Sequence, residues 1–205
     1  MLNRILGLLF LLVFSPVIFG LTLLVWIFSG WPILFFQNRV GYKGKIFKII
    51  KFRTMCRDAE TIKKKYIKLN EADGPVFKIR NDPRLTKVGK FLFHCGLDEM
   101  PQFINMIKGE MVLIGPRPLP LDEEKKIDQK YSKYRTRVRP GILSPWILNG
   151  YHKLKFRDWM ESDLDYIENK SLLGDVGIFF RGCELMWKLL WREMGSFFSK
   201  NSERW

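Results

Sequence analysis

This sequence predicts an α+β fold, mostly helical, and three observations predict it. Ile5 to Asn38 carries no charged side chain and is interrupted by Ser15-Pro16, which makes it a membrane helix broken at Ser-Pro. One short run, "GKIFKIIKFRTM" at Gly44 to Met55, alternates like a strand and supplies a small β element. The remaining periodic segments read as helices, ending in an aromatic and basic stretch from Asp175 to Lys200 that suits an interfacial amphipathic helix.

Length and charge bound the possibilities. A chain of 205 residues builds one domain, or one modest domain and a membrane element. A net charge of +14 calls for an anionic partner: nucleic acid, anionic headgroups or a phosphorylated substrate. Cys56, Cys95 and Cys183 are odd in number, widely spaced and form no CxxC pair, which argues against a disulfide framework or a zinc site and fits a reducing, cytosol-facing domain.

The apolar run is too long for a signal peptide, and no small-x-small cleavage site follows it. Arg4 precedes it, and Arg39, Lys43, Lys45, Lys48, Lys51 and Arg53 follow it, so the positive-inside rule draws both ends to one face. Two arrangements remain at this stage, a kinked span and a helix that dips into one leaflet and returns.

In the strand that follows, Lys45, Phe47, Ile49, Lys51 and Arg53 share one face and Lys48 lies on the other. Arg57 to Leu69 reads as a solvated, charged helix. "EADGPVFKIRNDPRLT", Glu71 to Thr86, reads as loop because Gly, Pro, Asn and Asp punctuate it. In "GLDEMPQFINMIKGEMVLIGPRP", Gly96 to Pro118, Pro101 suits the first turn of a helix whose apolar stripe is Phe103, Met106 and Ile107 and whose stop is Gly109. For the Asp175 to Lys200 stretch, packing on the core and lying at the membrane interface fit equally, because its aromatics form no single stripe.

Asp98 and Glu99 therefore stand at a helix start. Unpaired N–H groups and the helix dipole favour ionised carboxylates there, so capping is the ordinary reason for such a pair. The chemical alternative divides duties: one carboxylate attacks phosphorus while the other holds Mg²⁺ against the phosphate oxygens. Cations that would grip a diphosphate flank the pair in sequence: Lys51, Arg53, Lys78, Arg80 and Arg84 before it, and Arg117 and Arg139 after it. Each alone is more simply a solvated surface charge.

The ordered motifs "KFRTM", "DGPVFKIRNDPRLTKVGKFL", "LDEMPQFINMIKGEMVLIGPRP", "VRPGI" and "DLDYIENKSLLGDV", behind an apolar N-terminus broken at Ser-Pro, resemble the bacterial sugar transferases, the monotopic polyprenyl-phosphate phosphoglycosyl transferases. The resemblance implies transfer of a sugar 1-phosphate from a UDP-sugar to undecaprenyl phosphate with release of UMP, the first membrane step of capsule, exopolysaccharide, O-antigen or glycoprotein glycan assembly. It implies that Asp98 takes the phosphosugar covalently and that Glu99 binds Mg²⁺. It further places Pro116, Arg117 and Pro118 near the nucleotide and implies an essential role for Asp175, with Asp163 its nearest rival; Lys51, Arg53, Arg84 and Arg139, read above as cations for a diphosphate, complete the candidate substrate-binding set.

For the N-terminus the resemblance implies a re-entrant helix broken at Ser15 and Pro16, with residues 1–38 forming it and the entry to the soluble part. Residues 39–205 would form a cytosolic catalytic domain on the membrane surface, at the cytoplasmic face of the bacterial inner membrane. Partners are then the UDP-sugar, undecaprenyl phosphate and membrane lipid. No nucleic-acid module or stacking platform accompanies the basic charge. The identity of the sugar and the presence of a homo-oligomer are not legible here.

The chain departs from the family pattern at Gly7, at Phe93 and Gly96, where relatives carry Arg and Ser, and over 143–151, "LSPWILNGY". His94 is the neighbouring candidate for the missing cation. The rival expectation is a catalytically impaired homologue acting as a membrane-bound binding or scaffold protein.

Overall fold

The computed structural model describes residues 1–145 and 155–202; positions 146–151 of the altered 143–151 segment lie outside the described residues. Helices dominate, with two small two-stranded sheets.

The N-terminus forms α1 (Leu2–Val13) and α2 (Ser15–Ser29), bent by 65° where they meet. Pro16 has no N–H to offer the Leu12 carbonyl one turn back, and the Ser15 hydroxyl donates to that carbonyl instead at 2.7 Å. The break is therefore satisfied within the chain. Among the described residues no single helix is long and apolar enough to cross a membrane, whereas the bent pair together passes that test. Leu12, Val13, Phe19, Ile27 and Phe28 are exposed along the pair.

Gly7 is the contact of α1 with α5 (Phe103–Lys108). A Cβ there would stand 2.8 Å from Met106 Cβ and 3.1 Å from the Phe103 carbonyl oxygen, so any side chain pushes the helices apart. Gly7→Val is expected to cost about 1–3 kcal/mol. Thermal unfolding in detergent checks this against Gly20→Ala, where a Cβ meets nothing within 4 Å and no comparable loss is expected.

α2 ends at Gly30, at φ +72°, and the chain enters β1 (Leu34–Val40). β1 pairs antiparallel with β2 (Ile46–Phe52), from Leu34 opposite Phe52 to Val40 opposite Ile46. The last part of the uncharged run, up to Asn38, is thus a strand, because hydropathy without a period does not separate helix from strand. Phe47 and Ile49 pack with Met106 and Met111. Phe52, one register out, packs with Val25, Leu92, Cys95 and Met100. Both faces of β2 are thereby covered, beyond the single buried face its alternation predicts.

The expected helix from Arg57 to Leu69 is instead a short α3 (Ala59–Ile62) and a 3₁₀ segment, Lys63–Leu69. Ile67 and Leu69 are exposed, so no buried apolar stripe holds a longer helix. The loop that follows is ordered by Asn70. Its side-chain amide donates to the Ala72 and Val76 carbonyls at 3.0 Å each, and its oxygen accepts from Lys78 N–H at 2.7 Å.

α4 (Lys87–Cys95) is capped by the Thr86 hydroxyl, which accepts from Gly89 N–H at 2.9 Å. It stops at Gly96, at φ +72°. A 3₁₀ turn, Leu97–Gln102, leads into α5, which ends at Gly109 as its glycine predicts. β3 (Val112–Ile114) pairs in parallel with β4 (Gly141–Leu143). Between them lie α6 (Leu121–Glu124) and α7 (Gln129–Arg135), and after them α8 (Phe156–Glu168) and the 31-residue α9 (Leu172–Ser202). α9 lies against α4 and the β3–β4 pair, while Phe180, Trp187, Trp191 and Met194 are exposed. Core packing and an outward aromatic face are two faces of this one helix.

Candidate active site

Three backbone pieces bring the site together. β2 delivers Lys51, the 3₁₀ turn after Gly96 delivers Asp98 and Glu99, and the loop after β3 delivers Arg117. Asn105, fully buried on α5, ties the first two. Its amide donates to the Lys48 carbonyl at 2.8 Å and to Glu110 at 2.7 Å, and its oxygen accepts from Ile50 N–H at 3.1 Å. Sequence reasoning passed over Asn105; the available signal was a polar amide inside an apolar helical stripe.

Lys51 Nζ lies 2.6 Å from Glu99 Oε1 and 3.5 Å from Asp98 Oδ2, and Arg117 Nη2 donates to the same Glu99 oxygen at 2.7 Å. The two carboxylates consequently diverge. Burial pushes the Asp98 carboxyl up to about 6; Lys51 and Arg117 oppose that rise while Glu99 adds to it. Burial acts on Glu99 in the same sense, but the charges and hydrogen bonds of Arg117 and Lys51 outweigh it and hold this carboxyl well below its ordinary range. Capping at a helix start anticipates ionised acids at both positions. For Asp98 desolvation is the larger effect, since its side chain is only 5% exposed.

Asp98, Lys51 and Arg117 line a cavity of about 450 Å³. Arg39 and Lys78 join them on its wall, and Phe77, Phe93 and Trp159 supply aromatic surface. Burial and the nearby Arg117 lower the Arg39 guanidinium to about 10 and the Lys78 ammonium to about 7. Depression of these cations by burial and by Arg117 around one concave space marks an environment suited to an anion. Arg39 went unrecognised as a site residue because in sequence it looks like one more membrane-flanking charge.

The other expected binding residues divide. Arg53 lines the cavity, but its guanidinium donates to the carbonyls of Trp31, Ser29 and Gly30, closing the end of α2. Arg84 also lines it, with its guanidinium paired to both Asp82 oxygens at 2.9 and 2.6 Å and to the Ala59 carbonyl at 3.0 Å. Both are held by protein groups, which a basic residue's sequence position does not reveal. Pro116 and Pro118 flank Arg117 and are buried.

Arg139 stands apart from the Asp98 cavity, in a separate one of about 240 Å³ beside Asn3 and Gly109. Asp175 accepts the Tyr166 hydroxyl at 2.7 Å, a hydroxyl that also lies 3.0 Å from the Ile114 carbonyl; this ties the first turn of α9 to β3. His94 lies 3.0 Å from the Arg80 carbonyl and 3.4 Å from Glu193, so it bridges to α9.

The donor set was tested for Mg²⁺. Among the described residues no three His, Cys, Asp or Glu side chains converge into a metal cage. Mg²⁺ does not require one, since it is commonly held by one or two carboxylates together with substrate phosphates and water. Glu99, kept ionised by its cations, with Asp98 beside it, fits that chemistry.

Set against known proteins, residues 1–188 match the family described as bacterial sugar transferase. The galactosyl transferase CpsE of Streptococcus agalactiae serotype III (strain NEM316) is 42% identical over 151 residues, covering 73% of this chain and 33% of that protein. The exopolysaccharide production protein ExoY of Rhizobium meliloti (strain 1021) is 35% identical over 175 residues, covering 83% and 77%. The UDP-glucose:undecaprenyl-phosphate glucose-1-phosphate transferase of Escherichia coli (strain K12) is 38% identical over 184 residues, covering 86% and 37%. The aligned region is thus about a third of CpsE and of the E. coli transferase and about three quarters of ExoY. With the match running from the broken N-terminal helix into α9, the chain belongs to the bacterial sugar transferase family.

Proposed function

We propose that this protein transfers a sugar 1-phosphate from a UDP-sugar to undecaprenyl phosphate, releasing UMP, at the cytoplasmic face of the bacterial inner membrane. The observation that carries the reading is the Asp98–Glu99 pair, of which Asp98 lines the cavity. Two adjacent carboxylates are split by their surroundings, with Glu99 clamped by two cations and Asp98 held by one and facing the space where a diphosphate fits.

In the first half-reaction an Asp98 carboxylate oxygen attacks the sugar-bearing phosphorus. The new aspartyl P–O bond forms as the P–O bond to UMP breaks, and UMP leaves with that electron pair. In the second, an oxygen of undecaprenyl phosphate attacks the same phosphorus, and the aspartyl bond breaks to restore Asp98. Arg117 and Lys51 carry positive charge beside the phosphoryl oxygens. Lys78 and Arg39 bind the rest of the donor's anionic charge. Mg²⁺, held by Glu99 with Asp98 adjacent, would neutralise diphosphate oxygens.

For the membrane, the bend at Ser15-Pro16, the satisfied Leu12 carbonyl and the exposed apolar side chains support a re-entrant helix over 1–38, in which the helical part ends at Ser29. They likewise support a domain over 39–205 resting on the surface, with Trp187 and Trp191 of α9 at headgroup level. A cysteine introduced at Asn3 is expected to react only with reagents reaching the cytoplasmic side; labelling from the periplasm sinks the re-entrant topology.

One observation favours a second reading, a catalytically impaired membrane-bound binding protein: Phe93 puts an aromatic ring on the cavity wall. Incubating the purified full chain with a panel of UDP-sugars, undecaprenyl phosphate and Mg²⁺ decides between the two. UMP release that requires undecaprenyl phosphate for full turnover is expected; no release from any donor selects the impaired homologue.

A further inference from the structure

The segment Pro116-Arg117-Pro118 has each of its three carbonyls taken by a different donor. Gly141 N–H donates to the Pro116 carbonyl at 3.0 Å, Arg135 Nη2 to the Arg117 carbonyl at 2.5 Å, and Arg39 Nη1 to the Pro118 carbonyl at 2.8 Å. The two prolines restrict the backbone on either side but have no N–H with which to anchor it. The register of Arg117 therefore depends on what grips its carbonyls.

Of the three donors, Arg135 is the most firmly held. It is 5% exposed; its Nε donates to Asp163 Oδ2 at 2.9 Å, and its Nη1 lies 3.4 Å from Glu124 Oε2. Asp163 is fully buried, and Glu124 accepts the Ser132 hydroxyl at 2.7 Å through its other oxygen. The guanidinium also lies over the Trp159 ring, 5.9 Å from its centroid, and that residue lines the cavity. A planar guanidinium fork fixed at two corners presents its third in one direction, which a lysine ammonium cannot reproduce.

We infer that Arg135, oriented by Asp163 and Glu124, is a positioning residue that sets the Arg117 backbone so that the Arg117 guanidinium reaches Glu99 Oε1. The inference rests on the proposed transferase reading only for its kinetic consequence. Its structural consequence follows from geometry: without the Arg135 bond to its carbonyl, Arg117 loses the position from which Nη2 meets Glu99 Oε1 at 2.7 Å.

The test uses the purified full chain in detergent with ¹⁵N-labelled arginine side chains, at one pH. The Arg117 guanidinium resonance is followed, with Arg117→Ala supplying its assignment and Glu99→Gln its unpaired position. In Arg135→Lys and in Asp163→Asn it is expected to move to the position seen in Glu99→Gln. In Arg135→Lys/Glu99→Gln it is expected to move no further than in Glu99→Gln alone. UMP release is expected to fall about tenfold in Arg135→Lys.

An unmoved Arg117 guanidinium resonance in a folded Arg135→Lys protein, or shifts that add in the double variant, overturns the inference. Glu124→Gln, which removes the longest bond of the network, serves if the other two do not fold. Unfolding of all three variants assigns the cluster a purely structural role and also overturns it. A displaced Arg117 resonance in a protein whose wild type releases no UMP upholds the positioning role and rejects the transferase reading instead.

Discussion

Asp98→Asn is expected to abolish UMP release, by about 10⁴-fold or more, and at the same time to make the protein more stable at neutral pH. The first effect follows from the proposed mechanism, in which an Asp98 carboxylate oxygen attacks phosphorus. Asparagine keeps the shape and the partners but has no lone-pair anion to offer phosphorus. The second follows from linkage. The folded-state value of Asp98 is about 6 against an ordinary 3.8, so between those limits the folded protein keeps a proton that the unfolded chain releases. Stability is therefore lost as pH rises through that window, and the ionised group remains a cost above it, on the order of 3 kcal/mol. Asparagine does not ionise and removes the cost. Melting temperatures in detergent at pH 8 and near pH 3.5 check this: the gain should be present at the first and absent at the second. An equal gain at both would reject the burial argument, and turnover surviving the substitution would reject the nucleophile.

Lys51→Met carries the next largest effect. Lys51 touches both carboxylates, at 2.6 and 3.5 Å. Without it Asp98 faces the Glu99 charge in a buried site, and its carboxyl rises further above about 6. In the proposed mechanism the reactive form is the ionised one, so activity should be lost as pH falls, and the acid limb of kcat/KM should move from near 6 to above 7. At pH 7 UMP release is expected to fall about 10²- to 10³-fold, with part of the loss recovered at higher pH. A loss of the same size at every pH would instead assign Lys51 to phosphate contact alone.

These variants probe a division of labour that no single residue displays. Asp98 and Glu99 are adjacent in the chain and chemically near-identical, yet their environments push their titrations in opposite directions. The opposition arises because Arg117 and Lys51 converge on one oxygen of Glu99 while Asp98 sits beneath the cavity with a single, longer contact. Sequence supplies the acids and the cations. It does not say which acid receives the cations.

The same limit explains the uneven fate of the basic residues. Arg53 and Arg84 sit in motifs as prominent as those of Lys51 and Arg117, but carbonyls of residues 29–31 and the Asp82 carboxylate take their donors. Arg39, unremarkable in a row of membrane-flanking charges, ends on the cavity wall with one bond to the Pro118 carbonyl. Which arginine meets protein and which meets open space depends, for Arg53 and Arg39, on partners more than twenty residues away.

Local chemistry determined much of this protein by itself. Pro16 forbids a straight helix, Gly96 and Gly109 end their helices, the β2 alternation buries Phe47 and Ile49, and the ordered motifs identify the family, because each depends on neighbours in the chain or on residue types alone. Tertiary structure alone decided that Leu34 to Asn38 is a strand, that α9 both packs and exposes tryptophans, and that Arg135 reaches the backbone of Arg117. It alone decided the charge state of the Asp98 and Glu99 pair as well. Burial and the convergence of distant cations set that state, and both exist only once β2, the turn after Gly96 and the Arg117 loop have closed on one another.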